Sequence, residues 1–415
     1  MRISASQESS IPMNKRPYYG WVIVVLAAMS MVATLPGRTV GLGLITEPLL
    51  QELDIERIQF AKINLIATLV GSLFALAAGP LTDRLGLRVM LSSILLILGS
   101  MVLTMSQMVS AGTVTLFLIL IRGFGQSALS TTSVTSVGKW FTKRLAIAMG
   151  VFSVLVAIGF VMAIVTIQTQ IESQGWRKVW FSVGVTVLML GGVSALIARR
   201  EPRSAESPVD GPSLSGSDES LPDLKLGEAL KTPCFWMFGI AMALYSGVLA
   251  GVSLFNQSIL QELGFGATTF RYAMAGLMSA GVIGNLLAAW ATRHLSLPRI
   301  VALSLCVLAL VLLTYPQLQT ASQVITHASL YGFCGGVFSV VYFTGFGHAF
   351  GRTHLGKIQG CAQVMTVVAS ALGPLWLASV KESTGSYFPI MIYLAPVFAI
   401  LGVLGWLTKL PKRSR

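Results

Sequence analysis

The chain has 415 residues, 54% of them hydrophobic and 11% charged, with a mean hydropathy of +0.76 and a formal net charge of +13. That balance excludes an ordinary soluble globular chain, in which charged residues reach about 25%. Cys234, Cys306, Cys334 and Cys361 show no paired spacing and no clustered histidines, so neither a disulfide framework nor a zinc site is indicated, and no metal or cofactor is called for.

Residues 1–19 form a polar N-terminal tail. Lys15 and Arg16 precede an apolar run that is too long for a secretory signal and lacks a small-residue cleavage site, so it reads as a first membrane span. Uncharged apolar runs of spanning length fall at 20–46, 60–80, 88–109, 112–137, 144–168, 177–198, 233–256, 270–292, 299–318, 322–348, 357–380 and 388–409. The expected fold is an all-α membrane protein of twelve transmembrane helices. Residues 199–232, rich in Ser, Pro, Gly, Asp and Glu, carry too little apolar material to fold alone and read as a linker. It separates a six-helix half at 20–198 from a second at 233–409, followed by a tail at 410–415. A shift of 210 residues lays Gly150 on Gly360, Gly175 on Gly385 and Leu81–Leu85 on Ala291–Leu295, as expected for pseudo-symmetric halves.

Of the 29 lysines and arginines, 21 fall at span ends on the side of both termini and six on the opposite side. This is the positive-inside bias, which predicts a multi-pass protein of the cell (inner) membrane with both termini cytoplasmic. The basic balance then reflects topology, and no nucleic-acid partner is expected. There is no phosphate loop, nucleophile triad or carboxylate pair, so the chain does not read as an enzyme.

The two remaining cations are Arg38 and Arg122, inside spans 1 and 4. At ~1.5 Å per residue they lie at similar depth, in the outer-middle part of the first half. No Asp or Glu sits in the core of any span; Glu47, at the outer end of span 1, is nearest. Unneutralised intramembrane arginines point either to an anionic ligand or to snorkelling and carbonyl contacts. An arginine fork matches a carboxylate, and Thr34 with Arg38 and Gln126 with Arg122 share helix faces at i, i+4. Neutral substrate-contact candidates in the second half are Tyr245, Asn285, Tyr331 and Tyr342, for each of which plain packing is the competing reading. Glu47 and His327 are the candidates for proton coupling, His327 because imidazole titrates near neutrality.

Between spans 2 and 3 the sequence reads Gly79-Pro80-Leu81-Thr82-Asp83-Arg84-Leu85-Gly86-Leu87-Arg88. This resembles the loop signature of the major facilitator superfamily, Gly-x-Leu-x-Asp-Arg-x-Gly-x-basic. Gly86 permits a tight turn, and Asp83 can accept from Arg84, Arg88 or a helix N-terminus; in the family this latch holds the cytoplasmic side. Arg122-Gly123-Phe124-Gly125-Gln126 is similar to the family's helix 4 motif, and Gly150 with Gly159 to its helix 5 glycines. Pro17-Tyr18-Tyr19-Gly20-Trp21, Phe350-Gly351-Arg352-Thr353-His354-Leu355-Gly356, Gly373-Pro374 and Gly385-Ser386-Tyr387 resemble the oxalate/formate and monocarboxylate porter branch. That branch carries a cation within helix 8 and sometimes a lysine in helix 11, whereas this chain has Asn285 within helix 8 and Lys357 and Lys381 only at the ends of helix 11. The resemblance implies a monomeric secondary transporter working by alternating access. Helices 1, 4, 7 and 10 would line its cavity, and the cargo would be a small organic anion, proton-coupled or exchanged. A multidrug or other efflux transporter, and a non-transporting receptor of the same fold, remain alternatives.

Overall fold

The computed structural model describes residues 19–141, 145–198, 224–292, 294–341, 345–350 and 355–411. Among the described residues, twelve principal helices follow one another: α1 (Gly20–Val32), α2 (Arg57–Leu85), α3 (Leu87–Met108), α4 (Val114–Trp140), α5 (Leu145–Gln174), α6 (Trp176–Ile197), α7 (Pro233–Glu262), α8 (Ala267–Ala291), α9 (Leu297–Thr314), α10 (Ala321–Val340), α11 (Leu355–Thr384) and α12 (Phe388–Leu407). Helix 1 is prolonged beyond α1 by the turn Leu35–Gly37 and the short helices Thr39–Gly43 and Thr46–Leu53. Among the described residues, 11 segments are long and apolar enough to cross a membrane. The remaining helix, α10, has 20 residues, but Ser322, Gln323, His327 and Ser329 dilute its apolar character.

In the first half α1 packs on α5, α2 on α4, and α3 on α6. In the second half α7 packs on α11, α8 on α10, and α9 on α12. Adding six to each number in the first set yields the second, so the halves repeat one architecture. They meet through α2 with α11 and α5 with α8, pairs exchanged by the same operation, and through Thr39–Gly43 against α7. An even number of crossings puts both ends of the bundle on one face, the terminal face; the other is the far face.

Lipid tails are as apolar as leucine, so helices in a bilayer associate by close packing at small residues. Gly284 of α8 lies against the Phe333 carbonyl, Gly332 of α10 against Leu277, and Gly336 against Gly281. Gly247 and Gly373 bring α7 and α11 together in the same way.

Three local features differ from the sequence reading and one extends it. Helix α2 continues through the signature motif to Leu85, leaving Gly86 alone as the connection to α3, at φ 82° and ψ 156°. A residue with a Cβ resists that conformation, which is why the motif requires glycine there. Gly175 and Gly385, matched by the 210-residue shift, take φ 80° and 75° at equivalent turns, so the repeat extends to backbone geometry. Span 1 is not one helix: Pro36 lacks a donor and clashes with the preceding turn, so the chain breaks at Leu35–Gly37. Part of the expected linker is ordered: Leu226–Ala229 is helical, the Glu228 carboxylate accepts from the Lys225 amide, and the Leu224 amide donates to the Phe350 carbonyl at 2.9 Å.

Candidate functional site

The interior of the first half is organised around two irregular stretches that face each other. In helix 1, Arg38 is extended (φ −89°, ψ 150°) between the Leu35–Gly37 turn and the helix that starts at Thr39. In α4, residues Arg122–Leu129 wind as a π-helix, a form frequent at functional sites. Gly37 seats the first on the second: a Cβ there would lie 2.4 Å from the Ile121 carbonyl oxygen and 3.3 Å from the Gly125 Cα.

Both arginines bridge this joint in opposite directions. Arg38 donates from Nε to Thr34 Oγ1 at 2.7 Å and from Nη2 to Ser130 Oγ of α4 at 3.0 Å and Met31 Sδ at 3.1 Å. Its guanidinium carbon lies 5.2 Å from the Phe160 ring centroid. Arg122 donates back across the joint to Thr39 Oγ1 at 3.2 Å, along its own helix to Gln126 Oε1 at 2.8 Å, and to Asn64 Oδ1 of α2. The i, i+4 partners named from the sequence, Thr34 and Gln126, are therefore hydrogen-bonded to their arginines. Neither guanidinium pairs with a carboxylate among the described residues.

The two differ in access. Arg122 is 1% exposed, and its Nε, like the neighbouring Asn64 Nδ2, is a buried donor without an acceptor. Arg38 is half-buried, and its Nη1 has no partner among the described residues. The arrangement sets a partly exposed cation, Arg38, across the joint from a buried one, Arg122. Asn64, Thr39, Ser130 and Phe160 are not marked in the sequence, because none of them carries a charge. The available signal was weaker: Asn64 is an amide within an apolar run, and Ser130 opens the hydroxyl-rich stretch 130–136.

The second half contributes differently. Tyr245 and Tyr331 stack with centroids 5.1 Å apart, and Phe338 stacks on Tyr245 at 4.9 Å. Each tyrosine hydroxyl donates to the other's backbone carbonyl, at 3.5 and 3.2 Å, so the pair closes on itself between α7 and α10. Asn285 is half-buried without a side-chain partner among the described residues. It lies about 9 Å from the terminal end of α8, well away from the depth of Arg38. Tyr342 lies outside the described residues. His327 is held between α10 and α9 by a bond from Nε2 to the Val311 carbonyl and stands edge-on to Tyr315 at 4.6 Å.

Among the described residues, polar contacts between the halves gather at the far face. Arg57 forks onto Glu47 at 2.5 and 3.0 Å and donates to Ser258 of α7 at 2.8 Å, while Ser258 also bonds Glu47. A second bridge joins Arg271 of α8 to Glu172 of α5 at 3.0 Å. Beneath the first, Gly43 lies against the Ser253 carbonyl, close to where α7 kinks at Phe255. On the terminal face, Arg88 Nε donates to the Ala195 carbonyl of its own half at 2.6 Å, and Arg84 is exposed. The Asp83 side chain lies outside the described residues.

A repeated pair of six-helix bundles around an interior whose cations have no carboxylate partner among the described residues defines a polytopic membrane protein of the transporter class. The profile of the Major Facilitator Superfamily matches residues 20–374, and the chain belongs to that superfamily. Similar solved structures include a bacterial homolog of the human lysosomal transporter Spinster in an inward-facing, occupied conformation (TM-score 0.64, 15% identity, 95% of this chain and 93% of that one). The same homolog in its inward-facing, unoccupied conformation gives a TM-score of 0.64 at 16% identity, with 94% and 93% covered. The nucleoside transporter NupG gives a TM-score of 0.72 at 11% identity, with 93% and 98% covered. No curated protein sequence matches the chain. At these identities the structural likeness speaks for the fold.

Proposed function

We propose that this superfamily transporter carries a small organic anion, a carboxylate, by alternating access of its two halves. The observation that carries this reading is Arg38: a half-buried guanidinium with a free Nη1, ringed by neutral partners, backed by the acid-free Arg122. A carboxylate at Arg38 replaces the missing counter-charge and makes charge-assisted hydrogen bonds, each worth about 1.5–3 kcal/mol. Arg122 adds field from behind and fixes Thr39, next in sequence to Arg38. The terminal face is assigned to the cytoplasm on the distribution of basic residues. The state described, joined at the far face, is then the cytoplasm-facing one. In that state Arg84 and Arg88 of the signature motif have no partner to latch across the halves among the described residues, consistent with a latch that forms when the terminal face closes.

Coupling follows from what is already engaged. Glu47 is held by Arg57 and Ser258 across the halves, which supports a role in closure, and His327 is bonded to the Val311 carbonyl. The coupling proton would travel on the anion itself, or the anion would exchange for another.

The test is thermal unfolding of the purified protein with mono- and dicarboxylates, amino acids, sugars and cationic dyes, followed by flux in proteoliposomes. A carboxylate is expected to stabilise the wild type, and Arg38→Gln to weaken that response roughly tenfold or more in ligand concentration with little change in the unliganded unfolding temperature. Arg38→Lys should recover part of it, because an ammonium keeps the charge without the fork. Stabilisation by cationic or neutral compounds alone, unchanged in Arg38→Gln, would overturn the anion reading in favour of an efflux transporter.

A further inference from the structure

Two grooves score the outer surface of α12 near the terminal face. The larger, about 680 Å³, runs between α7 and α12 from Ile240 and Leu401 to Lys409, with Trp236 along its wall. The smaller, about 230 Å³, lies between α9 and α12 over Leu303, Cys306 and Trp406. Leu407 is 70% exposed and lines both, forming the ridge between them. Their common origin is Gly405, which seats the α12 backbone close to Ala302 of α9 and Met237 of α7 at once, leaving a hollow on either side. From Leu401 to Lys409 the larger groove descends about 12 Å along the helix direction, comparable to one leaflet of a ~30 Å hydrocarbon core.

The rim is cationic. Lys409 is exposed at the mouth of the larger groove, Lys231 is exposed two residues before Pro233, which lines that groove, and exposed Arg299 lies 5.6 Å over the Trp406 ring at the mouth of the smaller. Trp236 Nε1 donates to the Leu230 carbonyl at 2.8 Å, which fixes an aromatic ring at the level where such rings mark a membrane interface. The nearby acid, Glu228, already caps the Lys225 amide. Past Pro411 the sequence adds Lys412, Arg413 and Arg415.

We propose that an anionic diacyl phospholipid straddles this end of α12, one acyl chain in each groove and its phosphate among Lys231, Arg299 and Lys409. Two adjacent apolar grooves with one shared ridge match two chains on one headgroup, and three cations around the mouths match its negative charge. A second copy of the chain fits poorly, because a two-fold contact across α12 would set the same cations face to face.

Native mass spectrometry of the full chain, released from detergent with phosphatidylglycerol or phosphatidylcholine of identical acyl chains, tests this. The wild type should retain one phosphatidylglycerol per protein, roughly thirtyfold better than phosphatidylcholine, and R299Q/K409Q should bring the two lipids close to parity. Leu404→Trp, which fills the larger groove, should weaken retention of both lipids while keeping their ratio. K412Q/R413Q/R415Q should keep most of the preference, separating the groove from the general attraction of a basic tail. All of these changes are at exposed or tail positions, and unfolding without lipid is expected at the wild-type temperature. Equal retention of both lipids by the wild type, or an undiminished preference in R299Q/K409Q, would overturn the proposal. So would competition by soluble glycerol phosphate as effective as the lipid, which would mean a phosphate site without chains. A two-chain species abolished by Leu404→Trp would instead make this face a homodimer contact.

Discussion

Two arginines of identical chemistry occupy the same joint and differ in burial. Arg122 is enclosed by Gln126, Thr39 and Asn64, so removing one of those acceptors leaves charge in a dry interior with fewer bonds. Asn64→Ala is therefore expected to destabilise the protein by about 1–3 kcal/mol, read as a lower unfolding temperature in detergent. Asn64→Asp separates stability from function: the new carboxylate neutralises Arg122 and should restore much of the stability while lowering affinity for an anion, because the field behind Arg38 is cancelled. An Asp variant as unstable as the Ala variant would show that Asn64 acts through shape alone. The sequence exposed both arginines at once, since a charge in an apolar run is conspicuous. It did not expose Asn64, because a neutral amide in such a run is also what ordinary packing looks like.

At the scale of elements, the break in helix 1 leaves a signal in the sequence and the π-helix in α4 leaves none. Pro36 and Gly37 announce themselves, whereas the π-turn at Arg122–Leu129 depends on how α4 meets Gly37 and on Gly71, whose Cβ would sit 3.1 Å from the Arg122 Cβ. Small residues set the pairings of α8 with α10 and α7 with α11, and one of them can be tested directly. A Cβ on Gly336 would lie 2.0 Å from the Gly281 carbonyl oxygen and 2.4 Å from the Asn285 amide nitrogen. Gly336→Leu is expected to separate α8 from α10 and to lower folded yield several-fold by size-exclusion profile, with a loss of several kcal/mol. Gly192, which has open space around its Cβ position, should accept leucine at little cost in the same assay. Equal behaviour of the two variants would refute a packing role for Gly336.

For the whole molecule, the alternating-access proposal gives the far-face bridges a role in the balance between states. Arg57, Glu47 and Ser258, with Arg271 and Glu172, join halves that otherwise meet mainly through α2 with α11 and α5 with α8. Glu47 is 6% exposed while the Arg57 side chain is 38% exposed, so the pair is worth less than a fully buried one, about 1–2 kcal/mol. Arg57→Ala combined with Ser258→Ala should shift the population toward the far-face-open state by roughly five- to thirtyfold. Spin labels at the exposed far-face positions Gln59 and Glu382 would read this as growth of a longer distance component, reduced by saturating carboxylate if the ligand favours a closed form. An unchanged distance distribution would mean that helix packing alone holds this face.

The sequence by itself determined the solvent, the number of crossings, the duplication and the two intramembrane cations. Each of these is a one-dimensional property: a hydropathy run, a constant offset, or a charge where none is cheap. Only the tertiary structure decided which arginine is partly exposed and that Arg38 and Arg122 bond across one joint to Ser130 and Thr39. It also decided that Tyr245 and Tyr331 spend their hydroxyls on each other, and that Glu47 belongs to an inter-half bridge. Those outcomes depend on helices distant in sequence meeting at chosen depths. The depth and rotation of a membrane helix are fixed by small-residue packing against its neighbours, which no single apolar run encodes.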